Sequence, residues 1–150
     1  MLDFVKVAAG TFLATMCVNF LMHTPKRALF PCALMGMLGY TIYWGMMQLG
    51  VSDPLSMFVG SFIASILAEG FARRLHMAAT IFITTSIIPL VPGLAFYRFM
   101  SALAQNQLDV CTTQGIYAMK TILIIALSVA VSSSIYAFLY AGKKRRPHSM

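Results

Sequence analysis

Between Met77 and Ala104 the chain carries one long apolar run in which the first charge is Arg98. At ~1.5 Å of rise per residue, a helix of that length outreaches a hydrocarbon core of ~30 Å. The centre of the run reads Ile87-Ile88-Pro89-Leu90-Val91-Pro92-Gly93. Each proline removes a backbone donor and crowds the preceding turn, and glycine adopts backbone angles that other residues resist. The pattern predicts a helix that stops near Ile88 and restarts near Gly93, with the break near the bilayer midplane. In lipid the freed N–H and C=O groups find no water, so such a break has to face protein or a wet cavity. Discontinuous helices of this kind form substrate and ion sites in transporters. A structural kink satisfied by neighbouring helices is the plainer reading of the same prolines.

The rest of the composition agrees with a membrane setting. Of 150 residues, 59% are hydrophobic and only 10% are charged, against roughly 25% charged in ordinary soluble domains. The expected fold class is an all-α integral membrane protein, a single transmembrane domain over residues 1–150 with no separate soluble domain. Met1-Leu2-Asp3 lacks the basic region of a secretory signal, so the first apolar segment is expected to be a retained helix. The net charge of +7 lies in short patches beside apolar runs, where membrane orientation explains it and nucleic acid is not implied. Cys17, Cys32 and Cys111 are odd in number and far apart, which suggests neither a disulfide framework nor a metal site.

Five apolar segments follow in order: Phe4 to Met22, Ala28 to Leu49, Pro54 to Ala72, the broken run Met77 to Ala104, and Gly115 to Ala141. Thr24-Pro25 and Asp53-Pro54 read as cap-then-proline helix starts. Lys26 and Arg27 lie in the first connection, Arg73 and Arg74 in the third, and Lys143, Lys144, Arg145 and Arg146 in the tail. Five crossings put these eight of eleven cations on one face, which is then cytoplasmic. Asp3, Asp53 and Asp109 fall on the opposite face, giving an N-terminus outside and a C-terminus inside.

Small residues recur every four positions at Gly60, Ala64 and Ala68, at Ala126, Ala130 and Ser134, and at Gly10 and Ala14. Such stripes let helices approach closely in lipid, within this chain or against a second subunit. Tyr40, Tyr43 and Trp44 read as interfacial anchors near the outer end of the second segment.

Ionisable residues within membrane segments are candidates for function. Arg98 and Lys120 fall in the outer half of the membrane, where together they would hold a carboxylate; snorkelling to the interface is the alternative for both. Lys6, near the outer start of the first segment, is read as snorkelling. Glu69 is the only acid inside a span and precedes Arg73 by four residues. It is either an interfacial ion pair or a proton acceptor for coupling. The restarted helix near Gly93 would offer free N–H groups to an anion. Thr84, Thr85 and Ser86 before the break and Tyr97 one turn after Gly93 would add polar groups. There is no zinc-binding, nucleophile-elbow or phosphate-loop motif, no cofactor pattern, and His23, His76 and His148 lack ligand spacing. An enzyme is not indicated.

The runs Thr24-Pro25-Lys26-Arg27-Ala28-Leu29, Gly36 to Tyr40, Ala64 to Arg73, and Pro89-Leu90-Val91-Pro92-Gly93 with Tyr97 resemble the threonine/serine exporter family, and more closely the small membrane subunit of its split form. The resemblance implies secondary transport of threonine and serine, or of succinate as in some split pairs, together with a larger membrane subunit. The absence of the amino-terminal soluble portion of single-chain members fits the split form. On that reading Pro89 and Pro92 hold the break, Gly93 opens the helix terminus, and Arg98 favours anionic groups. An accessory subunit that transports nothing itself and a small channel are the competing expectations.

Overall fold

In the computed structural model, which describes residues 2–144, the chain forms α1 (Leu2–Leu21), α2 (Lys26–Gln48), α3 (Asp53–Arg74) and α4 (Ala79–Ile87). A 3₁₀ turn at Ile88–Leu90 follows, then α5 (Gly93–Ala104) and α6 (Leu108–Lys144). Of the basic tail, Arg145 to His148 lie outside the described residues. The last segment begins at Leu108, earlier than the expected Gly115. The polar residues from Asp109 to Gln114 keep their backbone bonds inside the helix, which makes α6 37 residues long, or roughly 55 Å at helical rise.

Four helix ends share one device. His23, Gly50, His76 and Asn106 take left-handed backbone angles, with φ of 52°, 77°, 52° and 54°. In each case the next residue donates its N–H five residues back: Thr24 to Asn19, Val51 to Met46, Met77 to Ala72, and Gln107 to Ala102. This Schellman-type closure satisfies carbonyls that lipid would leave bare. Two of the three histidines thus act as helix terminators. At the helix starts the structure shifts the expected caps by one residue. Pro25 itself flanks α2, and Ser52 flanks α3, with Asp53 the first helical residue.

The inside of the bundle combines many small and polar residues with a few large apolar ones, and the outside is apolar. Ser56, Ser61, Ser65, Ser86, Ser128 and Ser132 are fully buried, whereas Phe20 and Phe138 are 78% and 84% exposed. A surface of that kind belongs in lipid. The helices approach on small residues: a Cβ added at Gly39 on α2 would lie 2.8 Å from the Ala64 Cβ and 3.1 Å from the Gly60 carbonyl oxygen of α3. The stripe Gly60-Ala64-Ala68 is therefore internal packing. The stripes Ala126-Ala130-Ser134 and Gly10-Ala14 face outward. Cys32 and Met35 of α2, Ala68 and Ala72 of α3 and Phe82 of α4 form a core near the Arg74 end.

The direction of α6 decides how often the chain crosses. Tyr117 bonds Asp53 at one end of α3, Ser128 bonds Ser61 in the middle, and Arg73 lies over the Tyr136 ring at the other end. Helices α3 and α6 therefore run in the same direction. The chain between them must return from the Arg74 end to the Asp53 end, and α4 with α5 makes that return. The two halves are bent by 64°. With four continuous helices long and apolar enough to cross a membrane, the bent pair makes a fifth span.

Candidate functional site

The break has the expected boundaries and an unexpected chemistry. Pro92 sits at φ −75°, ψ 62°, the centre of an inverse γ-turn, and Gly93 donates its N–H to the Val91 carbonyl at 2.7 Å. Gly93 does not use the left-handed freedom of glycine, and its own donor is spent. The next two amides, on Leu94 and Ala95, have no acceptor among the described residues; the first α5 bond beyond them is Phe96 N–H to Pro92 O at 3.1 Å. The free donors at the helix start are thus one residue later than the sequence suggests. What Gly93 supplies is room, because a Cβ there would meet nothing within 4 Å.

That room is part of an open cavity of about 510 Å³. Pro89, Pro92, Gly93, Leu94, Ala95 and Arg98 line one part of it, and Tyr40, Tyr43, Gln114 and Tyr117 bring in α2 and α6. The break lies near mid-length of α2: a Cβ at Gly36 would fall 3.3 Å from Pro89 and 2.9 Å from Thr15 of α1. Arg98 makes no hydrogen bond or ion pair among the described residues. Its guanidinium, with the Leu94 and Ala95 amides, gives the cavity a set of uncommitted donors that suits an anionic oxygen.

Other expected site residues lie elsewhere. Thr84 and Thr85 line a separate groove with His23, Thr24 and Pro25. Thr85 donates to Ile81 O at 2.8 Å and Ser86 donates to Ile83 O at 3.1 Å, so both hydroxyls serve their own helix. One helical turn back along α4 carries them away from the break, toward the Arg74 end. Tyr97 is 71% exposed and is not part of the cavity lining, although it lies one helical turn after Gly93. Lys120 lines a smaller side cavity of about 160 Å³ with Asp53, Pro54, Tyr117 and Thr121; Tyr117 and Met57 separate it from the main one. Glu69 is buried and its carboxylate lies 3.8 Å from the Arg73 guanidinium on the same helix. Arg73 also covers Tyr136 at 5.2 Å, so the pair is embedded in the α3–α6 contact.

The structure adds a group that the sequence pattern hides. Tyr43 of α2 donates to Asp53 Oδ1 at 2.9 Å, and Tyr117 of α6 donates to Asp53 Oδ2 at 3.0 Å. Tyr40 and Tyr43 pack ring to ring at 5.8 Å and both line the main cavity, where anchoring at the interface would have had them face lipid. The one sequence signal was the scarcity of acids, since Asp53 is one of four in the chain. Among the described residues no group of three or more His, Cys, Asp or Glu side chains comes together to hold a metal.

An apolar-coated bundle with buried serines and a broken span opening onto a cavity with polar groups is a polytopic membrane protein built like a carrier of small solutes. The chain belongs to the threonine/serine exporter family: the family model described as Threonine/Serine exporter, ThrE matches residues 7–135. Five crossings, the break and its cavity all lie within or across that matched stretch. The family is one of membrane exporters, and this chain is a membrane transport protein of that kind. No solved structure matches it.

Proposed function

We propose that this chain is the path-lining membrane subunit of a secondary exporter for small carboxylate-bearing metabolites, threonine and serine or a succinate-like dicarboxylate, working with a larger membrane subunit in the cell membrane. The observation that carries the reading is Arg98 and the Leu94 and Ala95 amides, all without a partner among the described residues, in the lining of a cavity of about 510 Å³. Donors of this kind suit a carboxylate. Pro89 and Pro92 hold the break open, and Gly93 leaves space for the substrate. Lys120 adds positive charge from the smaller cavity next to the site, and any part that Thr84, Thr85 and Tyr97 take in transport lies outside this cavity.

Glu69 is the coupling acid of this reading, held by Arg73 until a proton replaces the ion pair. The outward stripes on α1 and α6 support a helical partner, because small residues facing lipid gain nothing there and allow close approach of another helix. Lys26, Arg27, Arg73 and Arg74 at one end of the bundle support a cytoplasmic C-terminus and an external N-terminus.

The test is counterflow of labelled threonine and labelled succinate in vesicles holding both subunits at matched levels. Flux should vanish when either chain is omitted. Gly93→Leu should abolish flux while membrane insertion and thermal stability stay at wild-type values, since the new side chain enters open space. Wild-type flux in Gly93→Leu would show that the substrate does not use this cavity.

A further inference from the structure

The main cavity carries acceptors as well as donors, and their arrangement bears on which substrate it takes. Each phenol has one hydrogen to give. Tyr43 gives its hydrogen to Asp53 Oδ1 and Tyr117 gives its own to Asp53 Oδ2. Both side chains line the main cavity. With their hydrogens committed, their oxygens can only accept from whatever enters. The carboxylate behind them makes those oxygens more negative, as hydrogen-bond chains polarise one another.

Asp53 itself has no cationic partner among the described residues. Lys120 lines the same side cavity yet makes no ion pair with it. The start of α3 favours negative charge at that position, and the two phenols are neutral donors. A carboxylate offers about four acceptor positions, and two are filled. Tyr40 and Tyr43, packed ring to ring, also line the cavity, and aromatic rings attract ammonium groups. The cavity therefore contains one cation without an anion, Arg98, and lies against one anion without a cation, Asp53.

We infer that Asp53, acting through Tyr43 and Tyr117, is the ammonium-recognising part of the site and sets its selectivity for α-amino acids over dicarboxylates. A zwitterion brings a carboxylate to Arg98 and an ammonium to the phenol oxygens, so both unpaired charges are answered. A dicarboxylate brings its second negative group to oxygens that cannot donate, in the field of Asp53. Tyr43 and Tyr117 are contact residues here, and Asp53 is a positioning residue that fixes their hydrogens. This inference rests on the exporter reading of the same cavity.

The experiment measures counterflow KM for threonine and for succinate in vesicles holding the complete exporter. Wild-type protein should prefer threonine. In Asp53→Asn the side-chain NH2 can donate to one phenol, freeing that hydrogen for the cavity, and the negative charge behind both phenols is lost; the threonine-to-succinate preference should fall by at least about tenfold, the worth of one charge-assisted bond. Tyr43→Phe and Tyr117→Phe keep the rings and should each lower the preference in the same direction. A preference for succinate in the wild type would overturn the inference, as would an unchanged preference in all three variants. Equal losses for both substrates in Asp53→Asn, with the two Phe variants unchanged, would assign Asp53 to helix packing and overturn it as well. Absence of flux for either substrate in the wild type would instead remove the exporter reading on which it rests.

Discussion

Arg98→Gln separates substrate binding from folding. The guanidinium has no protein partner among the described residues, so removing it breaks nothing inside the bundle. Surface changes of that sort move stability by no more than about 0.5 kcal/mol, and the thermal midpoint in detergent should shift by no more than about 2 °C. Binding is a different matter. Glutamine retains a donor but no charge, and a hydrogen bond to a charged group is worth roughly 1.5–3 kcal/mol. At 1.36 kcal/mol per tenfold, that range corresponds to a KM about 13 to about 160 times higher for a carboxylate substrate. Arg98→Lys should fall between, because the ammonium keeps the charge and loses the two-pronged fork. Counterflow in vesicles holding the complete exporter reads both values. A wild-type KM in Arg98→Gln would mean that the side chain only reaches toward the membrane surface, and the anion-site argument would fail.

Gly39→Ala should destabilise the bundle by about 1–3 kcal/mol, because the new methyl meets the Ala64 Cβ and the Gly60 carbonyl, neither of which can swing aside. Gly10→Ala, where nothing lies within 4 Å, should leave the thermal midpoint in place, and equal midpoints for the two variants would refute the close α2–α3 approach. Epitope tags inserted after His76 and after Gln105 should be reached from opposite faces of the membrane, the first from the cytoplasm together with the C-terminus. Access to both from one face would make the bent pair a re-entrant hairpin.

The number of membrane segments, their approximate limits and the position of the break were determined by the sequence alone. Those properties depend on local quantities. A run of apolar residues must be long enough to cross lipid, and a proline lacks a donor whatever surrounds it. Ile88 and Gly93 mark the break in the string of residues and in the structure for that reason. Membership of the stripes was equally visible, but not their direction. Gly60, Ala64 and Ala68 differ from Ala126, Ala130 and Ser134 only in what the fold places opposite them. Helix α6 starts seven residues before Gly115, since residues such as Asp109 and Gln114 end an apolar run without ending a helix.

Tertiary structure decided the composition of the site. The fold left Tyr97 exposed and outside the cavity lining, and the length of α4 carried Thr84 and Thr85 into another groove. The pairing of Tyr43 and Tyr117 on Asp53 joins residues 10 and 64 positions away from it, and no local period encodes such a meeting. It arises because α3 and α6 run in the same direction, which brings the early part of α6 beside the start of α3. Chain direction in turn depends on whether the broken run crosses the membrane, and in this bundle the 64° bend still delivers the chain to the far side. The sequence can announce a break from two prolines and a glycine; which charges stand unpaired around it depends on how the other helices close over it.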